Sequence, residues 1–128
     1  MHFLIAKTFT DSLARLTGQE QKAAKTTSFD LQIDPAHPSL KFHRVEAAKD
    51  GNFWTVRVNA DIRLVVHKTG ESLLLCYVAH HDDAYAWAAR RRIETHPKTG
   101  AAQIVALPEA EAPPPAPAKD ARAQDPPA

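Results

Sequence analysis

Hydrophobic and polar residues alternate most regularly between Phe53 and Ala79, and this alternation predicts three consecutive strands. One face of the first strand carries Trp54, Val56 and Val58. Its other face carries Thr55 and Arg57, because successive side chains of a strand point to opposite sides of the sheet. Arg57 is therefore predicted to lie outside the core.

The second strand repeats this pattern. Its apolar face carries Ile62, Leu64 and Val66. Its opposite face carries Arg63, Val65 and His67, by the same two-residue repeat. We therefore expect the two strands to bring Arg57 and Arg63 together on one surface of the sheet.

The third strand, Leu73 to Ala79, is apolar enough to lie at the centre of the sheet. It contains the single cysteine of the chain, which excludes an internal disulfide and fits a reducing compartment. Alternation places Cys76 on the same face as Leu74 and Val78. We interpret Cys76 as a core residue, because a nucleophilic thiol needs an electropositive and partly exposed setting.

The chain begins with a predicted strand, His2 to Ala6. A short helix follows, which Thr10 or Asp11 caps and which continues through Leu16.

A second helix has a clearer start signal. Thr17 and Glu20 have the spacing of a capping box, in which each residue accepts a hydrogen bond from the backbone of the other. The helix is predicted to run toward Leu31 and to end before Pro35 and Pro38.

The segment from residue 39 to 52 is predicted to be a connection, closed by a turn at its end. Asp82 or Asp83 is predicted to cap the last helix, which runs from Tyr85 to about Ile93. The predicted order is β-α-α-β-β-β-α, which belongs to the α+β class.

The composition of residues 108–128 differs sharply from the rest. This segment holds seven of the ten prolines and no valine, isoleucine, leucine or aromatic residue. It buries too little apolar surface to offset its ordering entropy. We therefore predict one folded domain over residues 1–107 and a disordered Pro/Ala-rich tail or linker over residues 108–128.

The predicted tail changes the charge balance of the molecule. The whole chain has 16 Lys and Arg against 15 Asp and Glu, whereas residues 1–107 have 14 against 11, a net charge of +3. This excess permits nucleic-acid binding without requiring it. Three consecutive arginines, Arg90 to Arg92, either contact phosphates or form the solvated end of the last helix.

The N-terminal residues MHFLIAKTF lack the long apolar region of a signal peptide, and no segment approaches the length of a membrane span. Together with the cysteine content, this predicts a cytoplasmic protein that does not contact a membrane.

The segments DIRLVVHK and LLLCYVAHHDDAY place an arginine at the start of one strand, and a basic turn and a tyrosine after the next. With the predicted element order, residues 1–95 resemble the RelE/ParE superfamily of small toxins. The resemblance implies a curved antiparallel sheet packed by helices. It also implies the ribosome and its messenger RNA as partners, and a cognate antitoxin protein.

Three segments, NFWTVRV, LLLCYVAHHDDAYAWAARR and THPKTGAAQ, are similar to the RelE-like N-terminal segment of some UvrD-type helicases. The Pro/Ala-rich tail stands where a linker to the helicase motor would begin. The resemblance therefore allows either a free-standing relative or an accessory domain with a helicase as partner.

Ribosome-dependent toxins of the RelE type cleave messenger RNA without a metal or cofactor. A base takes the proton of the ribose 2′-hydroxyl, cations stabilise the charge on the phosphate, and an acid protonates the leaving 5′-oxygen. The resemblance assigns phosphate stabilisation to Arg63, phosphate binding to Arg57, and proton transfer or base stacking to Tyr85.

The sequence departs from many nucleases of the superfamily in two ways. Thr55 replaces a strand lysine, and His80 and His81 replace an arginine before the final tyrosine. We predict that both histidines take part in catalysis, because the ordinary pKa of imidazole, about 6.5, suits proton transfer near neutral pH.

Four residues are predicted to bind RNA: Arg57, His67, Arg90 and Arg91. His67 lies about 13 Å along its strand from Arg63, too far for both to contact one phosphate. No metal site is expected in the HHDD turn, because adjacent side chains of a turn point apart.

Several candidates also have a purely structural interpretation. Trp54 and Trp87 are expected to pack in the core and against a helix rather than stack on bases. Tyr85 alternatively anchors its helix on the sheet. The strand arginines alternatively pair with acidic neighbours, namely Asp61, Glu71 or Asp82.

Two classes of function follow. The first is a ribosome-dependent endoribonuclease (mRNA interferase) of a type II toxin-antitoxin system. The second is a non-catalytic module that binds nucleic acid or protein, for example as a helicase accessory domain. Gyrase poisoning of the ParE type is a third, because a fold does not determine the activity that it carries.

Overall fold

The computed structural model describes residues 2–95 and 102–106. In chain order they form β1 (His2–Ile5), α1 (Lys7–Leu13), α2 (Gly18–Ile33), β2 (His43–Arg44), β3 (Phe53–Arg57), β4 (Ile62–Lys68), β5 (Ser72–His80), α3 (His81–Ala89), β6 (Arg91–Thr95) and β7 (Ala102–Ala106). The predicted α+β class is confirmed.

The predicted tail and the boundary at residue 107 lie outside the described residues. Within those residues, each helix is too short or too polar to cross a bilayer.

Strands β1 to β5 form one sheet in the order β1-β5-β4-β3-β2. Three neighbouring pairs are antiparallel, as predicted, whereas β1 runs parallel to β5. The sheet is therefore mixed. Parallel neighbours need a long connection, and both α1 and α2 lie between β1 and β5 in the sequence.

Helix α1 completes the edge of β5 that β1 leaves uncovered, because β1 pairs only with residues 72–75. The hydroxyl of Thr8 donates to the carbonyl oxygen of Cys76 at 2.6 Å. The hydroxyl of Ser12, one helical turn later, accepts the N–H of Val78 at 3.0 Å. These two side chains satisfy backbone groups that a further strand would otherwise satisfy.

The predicted capping box of α2 is confirmed. The Thr17 hydroxyl accepts the N–H of Glu20 at 3.2 Å, and the Glu20 carboxylate accepts the N–H of Thr17 at 3.0 Å. Helix α1, by contrast, begins at Lys7 without a side-chain cap, and the Thr10 hydroxyl bonds to the Lys7 carbonyl oxygen. The strand β2 lies in the segment predicted to be a connection. The sequence did not predict this strand, because two residues are too few to show an alternation of polar and apolar side chains.

The sheet has an apolar core on each face. On the first face Phe9 of α1 and Leu31 of α2 pack on Leu64 and Leu75 of the sheet, with Trp54 beside them. On the second face Ala88 of α3 packs with Phe53, Val65 and Cys76 of the sheet, with Trp87 and Tyr85 beside them. The predicted packing roles of both tryptophans are confirmed.

A β-bulge in β5 changes which residues share a face. Val65 lies opposite Tyr77, whereas Val66 lies opposite Leu75, so that Cys76 is the extra residue. Cys76 and Tyr77 both face α3, and Val78 packs in the other core. Cys76 is buried as predicted, but the expectation that Val78 shares its face is wrong because alternation fails at a bulge.

Helix α3 begins and ends earlier than predicted. Its N-cap is His80, and Asp82 and Asp83 lie in the first turn, where carboxylates interact favourably with the helix dipole. The helix ends at Ala89, and the next residues form β6, which pairs with β7. Ile93 of β6 packs on the second core, so that tertiary burial overrides the helix propensity of the alanine-rich sequence.

Asp50 connects this hairpin to the main sheet. One of its carboxylate oxygens accepts the N–H of Ile93 and lies 3.0 Å from Nε2 of the buried His67, and the other accepts the N–H of Asn52. Burial raises the pKa of Asp50, but these two N–H groups and the His67 imidazole outweigh it, so that the pKa lies below its ordinary value of 3.8.

We expect Asp50→Asn to lower the free energy of unfolding by about 1–3 kcal/mol at neutral pH, because an amide cannot accept all three hydrogen bonds. A depressed carboxyl pKa contributes stability that is complete above the ordinary value of 3.8 and is lost as pH falls through the folded-state pKa. In urea denaturation, the difference in free energy of unfolding between the variant and the wild type should therefore become smaller at acid pH. Asp30→Asn, on the exposed side of α2, is the control and should change stability little; equal losses in both variants would contradict the prediction.

We expect the thiol of Cys76 to resist modification in the folded protein, because it is fully buried and burial raises its pKa. A chromogenic disulfide reagent should react at a rate limited by unfolding, and rapidly once urea is added. Rapid stoichiometric reaction of the native protein would show that the thiol is accessible.

Candidate functional site

Arg57 and Arg63 lie directly opposite each other in the pairing of β3 with β4. Both fall on the face of the sheet that carries α3, because Thr55 and Val65, the next pair on that face, contact residues of the second core. The prediction that the two arginines meet is confirmed. Arg57 is exposed and Arg63 is partly exposed.

The loop between β3 and β4 holds Arg63. The Asn59 side chain accepts the N–H groups of Asp61 and Ile62, which closes a tight turn. Arg63 Nη1 donates to the carbonyl oxygens of Asn59 and Ile62, at 2.6 and 3.1 Å. One side of the guanidinium is thus bound to the protein, and its remaining N–H groups are available to a ligand.

The predicted pairing of these arginines with acidic neighbours is not seen. Where the structure describes side chains, none of the ion pairs joins Arg57 or Arg63 to a carboxylate. Asp61 instead contacts His80. The arginine pair is therefore a concentration of positive charge on the sheet.

Tyr85 contacts two exposed histidines. Its ring centroid is 4.6 Å from that of His81 and 6.1 Å from that of His43. Its hydroxyl is 2.9 Å from the hydroxyl of Thr55, which lies opposite His43 in the sheet. Helix α3 and strand β2 thus each contribute one imidazole to a cluster around a single tyrosine.

This histidine and tyrosine cluster adjoins the arginine pair. Thr55 and Arg57 are two residues apart on one face of β3, a separation of about 7 Å along the strand. The sheet therefore brings Tyr85, His81 and His43 beside Arg57 and Arg63. Sequence reasoning missed His43, because the strand that positions it has only two residues.

His81 is oriented by a carboxylate. Its Nδ1 lies 3.1 Å from Oδ1 of Asp82. A hydrogen bond from Nδ1–H to a carboxylate fixes the tautomer and leaves Nε2 as a proton acceptor. His81 is thus arranged as a general base with an exposed side chain.

His80 has a different environment. Its Nδ1 contacts Asp61 and its Nε2 lies 3.5 Å from Glu20. Both ring nitrogens therefore face carboxylates, and the side chain links α2 to the loop before β4. The structure places His80 beside the predicted catalytic residues but directs its nitrogens away from them.

The other predicted RNA contacts are not part of this cluster. His67 is 7% exposed and its Nε2 faces Asp50. Arg90 follows the end of α3, and Arg91 lies over the ring of Trp87. Within the described residues, no group of three His, Cys, Asp or Glu side chains is arranged to hold a metal ion.

No family model matches the chain, and no characterised protein sequence matches it. Solved structures do match. YafQ from E. coli strain BL21(DE3) has a TM-score of 0.52 at 14% identity, over 63% of this chain and 93% of that one. The RelB-RelE antitoxin-toxin complex of Methanococcus jannaschii has a TM-score of 0.51 at 21% identity, over 64% and 94% of the two chains. The protein therefore has the RelE/ParE-like fold of these small toxins.

Proposed function

We propose that this protein is a RelE-type toxin that cleaves messenger RNA on the ribosome, without a metal ion. The proposal rests on one observation: two strand arginines and two exposed histidines lie next to each other on one face of the sheet. Cleavage through the ribose 2′-hydroxyl needs a base, an acid and cationic stabilisation of the phosphate, and this surface has a candidate for each.

The roles follow from the contacts. His81 Nε2 takes the 2′-hydroxyl proton, since Asp82 occupies the other nitrogen. His43, which contacts the ring of Tyr85 as His81 does, protonates the leaving 5′-oxygen. Arg57 and Arg63 bind the scissile phosphate, because guanidinium N–H groups match phosphate oxygens in geometry.

Tyr85 has a positioning role in this scheme. The Thr55 hydroxyl is within 3.4 Å of the His43 carbonyl oxygen and donates to it, so that the Tyr85 hydroxyl donates its proton to Thr55. A proton already engaged in this way does not serve catalysis. The aromatic ring, in contact with both imidazoles, sets the distance between acid and base.

The expected partner is an antitoxin. The Methanococcus jannaschii structure contains an antitoxin bound to its toxin, and a neutralising protein of this kind is proposed for this chain as well. The cytoplasmic location and the helicase association stay predictions.

A non-catalytic binding module is the alternative, and the environment of Arg63 favours it. Its Nη1 is bound to two backbone carbonyl oxygens. Both nitrogens of His80 also face carboxylates. On a surface used only for docking, Arg57 would supply the positive charge, while Arg63 and His80 would stabilise the fold.

The proposed reaction predicts that Arg57→Ala and His81→Ala each reduce messenger RNA cleavage by about 10²- to 10⁴-fold, since each removes one group that acts in the transition state. The assay is inducible expression in bacteria with mapping of RNA ends on translating ribosomes. Arg44→Ala and His2→Ala are the matched controls, because both side chains are exposed and Arg44 pairs with Trp54, a residue of the opposite face. Normal growth and intact transcripts with soluble wild-type protein would favour the binding module.

We expect Tyr85→Phe to retain most of the cleavage activity and Tyr85→Ala to lose it, because the ring rather than the hydroxyl spaces the two histidines. Single-turnover cleavage of ribosome-bound messenger RNA measures this difference. Thr55→Val removes the same hydrogen bond from the other side and should resemble Tyr85→Phe. Equal loss in the Phe and Ala variants would instead assign proton transfer to the hydroxyl.

A further inference from the structure

A second cluster of aromatic and basic side chains lies on the other side of α3. Tyr85 and Trp87 are two residues apart in this helix, a rotation of about 200°, so that they point to opposite sides. Trp87 stacks on Tyr77 of β5, with ring centroids 4.6 Å apart and planes inclined by 6°. The bulge in β5 makes this contact possible, because it turns Tyr77 as well as Cys76 toward α3.

Two guanidinium groups flank this stacked pair. Arg15, in the turn after α1, donates to the Tyr77 hydroxyl at 3.1 Å and lies 5.9 Å from the centre of its ring. Arg91, at the start of β6, lies 5.1 Å from the ring centre of Trp87. Three separate segments of the chain thus converge to place two cations on one aromatic platform, which we call the Tyr77–Trp87 platform.

The platform has an excess of positive charge. Arg90 is adjacent to Arg91 in the chain, and among the side chains that the structure describes no ion pair joins Arg15, Arg90 or Arg91 to a carboxylate. Burial lowers the pKa of Arg91, Tyr77 raises it, and the charge of Arg90 lowers it further. The repulsion between the charges of Arg90 and Arg91 is unfavourable, and a bound anion would offset it.

We propose that the Tyr77–Trp87 platform binds the phosphates of single-stranded RNA next to the candidate catalytic surface. A guanidinium held within about 6 Å of an aromatic ring centre has a restricted orientation, and its planar set of N–H groups suits phosphate oxygens. Proteins that bind single-stranded nucleic acid usually combine basic side chains with aromatic rings. This inference rests on the proposed function, since the strand would be the one that is cleaved.

The position of the platform favours RNA as its ligand over an acidic protein segment. Only the width of α3, about 10–12 Å with its side chains, separates the platform from the histidine and tyrosine cluster. At a rise of about 3.4 Å per nucleotide, a strand of about four nucleotides covers that distance. One strand could therefore contact Arg57 and Arg63 on one side of the helix and Arg15 and Arg91 on the other.

The test compares two double variants by fluorescence anisotropy with a labelled single-stranded RNA dodecamer. Arg15→Gln/Arg91→Gln should weaken binding by about tenfold and should make the slope of log K against log salt shallower by about 1.4, because each phosphate contact in a single strand contributes about 0.7. Lys22→Gln/Lys25→Gln removes the same charge from exposed positions of α2 and should change affinity by less than about twofold. Circular dichroism establishes that each variant is folded.

A second measurement locates the RNA without disturbing the arginines. The chain has two tryptophans, so that Trp54→Phe leaves Trp87 as the only one. RNA binding should then change the emission of Trp87. Unchanged emission at saturating RNA, or equal weakening in both double variants, would overturn the proposal. Equally effective displacement by a polyglutamate peptide would assign the platform to acidic proteins and would also overturn it.

The outcome is separable from the proposed reaction. Binding that depends on Arg15 and Arg91, in a protein that cuts no messenger RNA, would refute the cleavage and support the platform. Cleavage with an unchanged affinity in Arg15→Gln/Arg91→Gln would support the reaction and refute the platform.

Discussion

The register of β3 against β4 is the constraint on which the rest of the structure depends. It places Phe53 opposite His67, Thr55 opposite Val65, and Arg57 opposite Arg63 on the face that carries α3. A slip of β4 by one residue would turn Arg63, Val65 and His67 to the other face, where α1 and α2 pack. Arg63 would then be buried among apolar residues, at a cost that the fold could not offset. Core burial and the surface charge of the site are therefore fixed by the same pairing.

Helix α3 divides the functional face into two parts. Its buried alanines, Ala84 and Ala88, let it lie close to the sheet. Tyr85 and Trp87 then project to its two sides, one toward β3 and one toward β5. A nine-residue helix can hold this position because tertiary contacts, rather than its own propensity, provide most of its stability. The histidine cluster and the aromatic platform share this one support.

The distribution of acidic side chains explains why arginines remain available. Four ion pairs among the described residues join a carboxylate to a histidine. Asp50 binds His67 in the interior, Asp61 and Glu20 flank His80, and Asp82 orients His81. These carboxylates stabilise the fold or orient an imidazole. The positive charges of the arginines on the sheet and beside the platform therefore stay available to an anion, although Arg63 and Arg15 each donate to another group of the protein.

The sequence by itself determined the features that depend on local pattern. Alternation identified the three long strands and put Arg57 beside Arg63, and the spacing of Thr17 and Glu20 identified the start of α2, because strand faces and helix caps are set within a few residues. Only the tertiary structure decided the features that depend on distant segments. The bulge that turns Tyr77 toward Trp87 has no local signal, since it arises from the fit of β5 to β4 and α3. His43 joins Tyr85 and His81, and Arg15 reaches Tyr77, because folding brings together residues between 38 and 62 positions apart. Alternation and capping describe a residue relative to its neighbours in the chain, whereas a site of this kind is defined by the packing of elements that the chain keeps far apart.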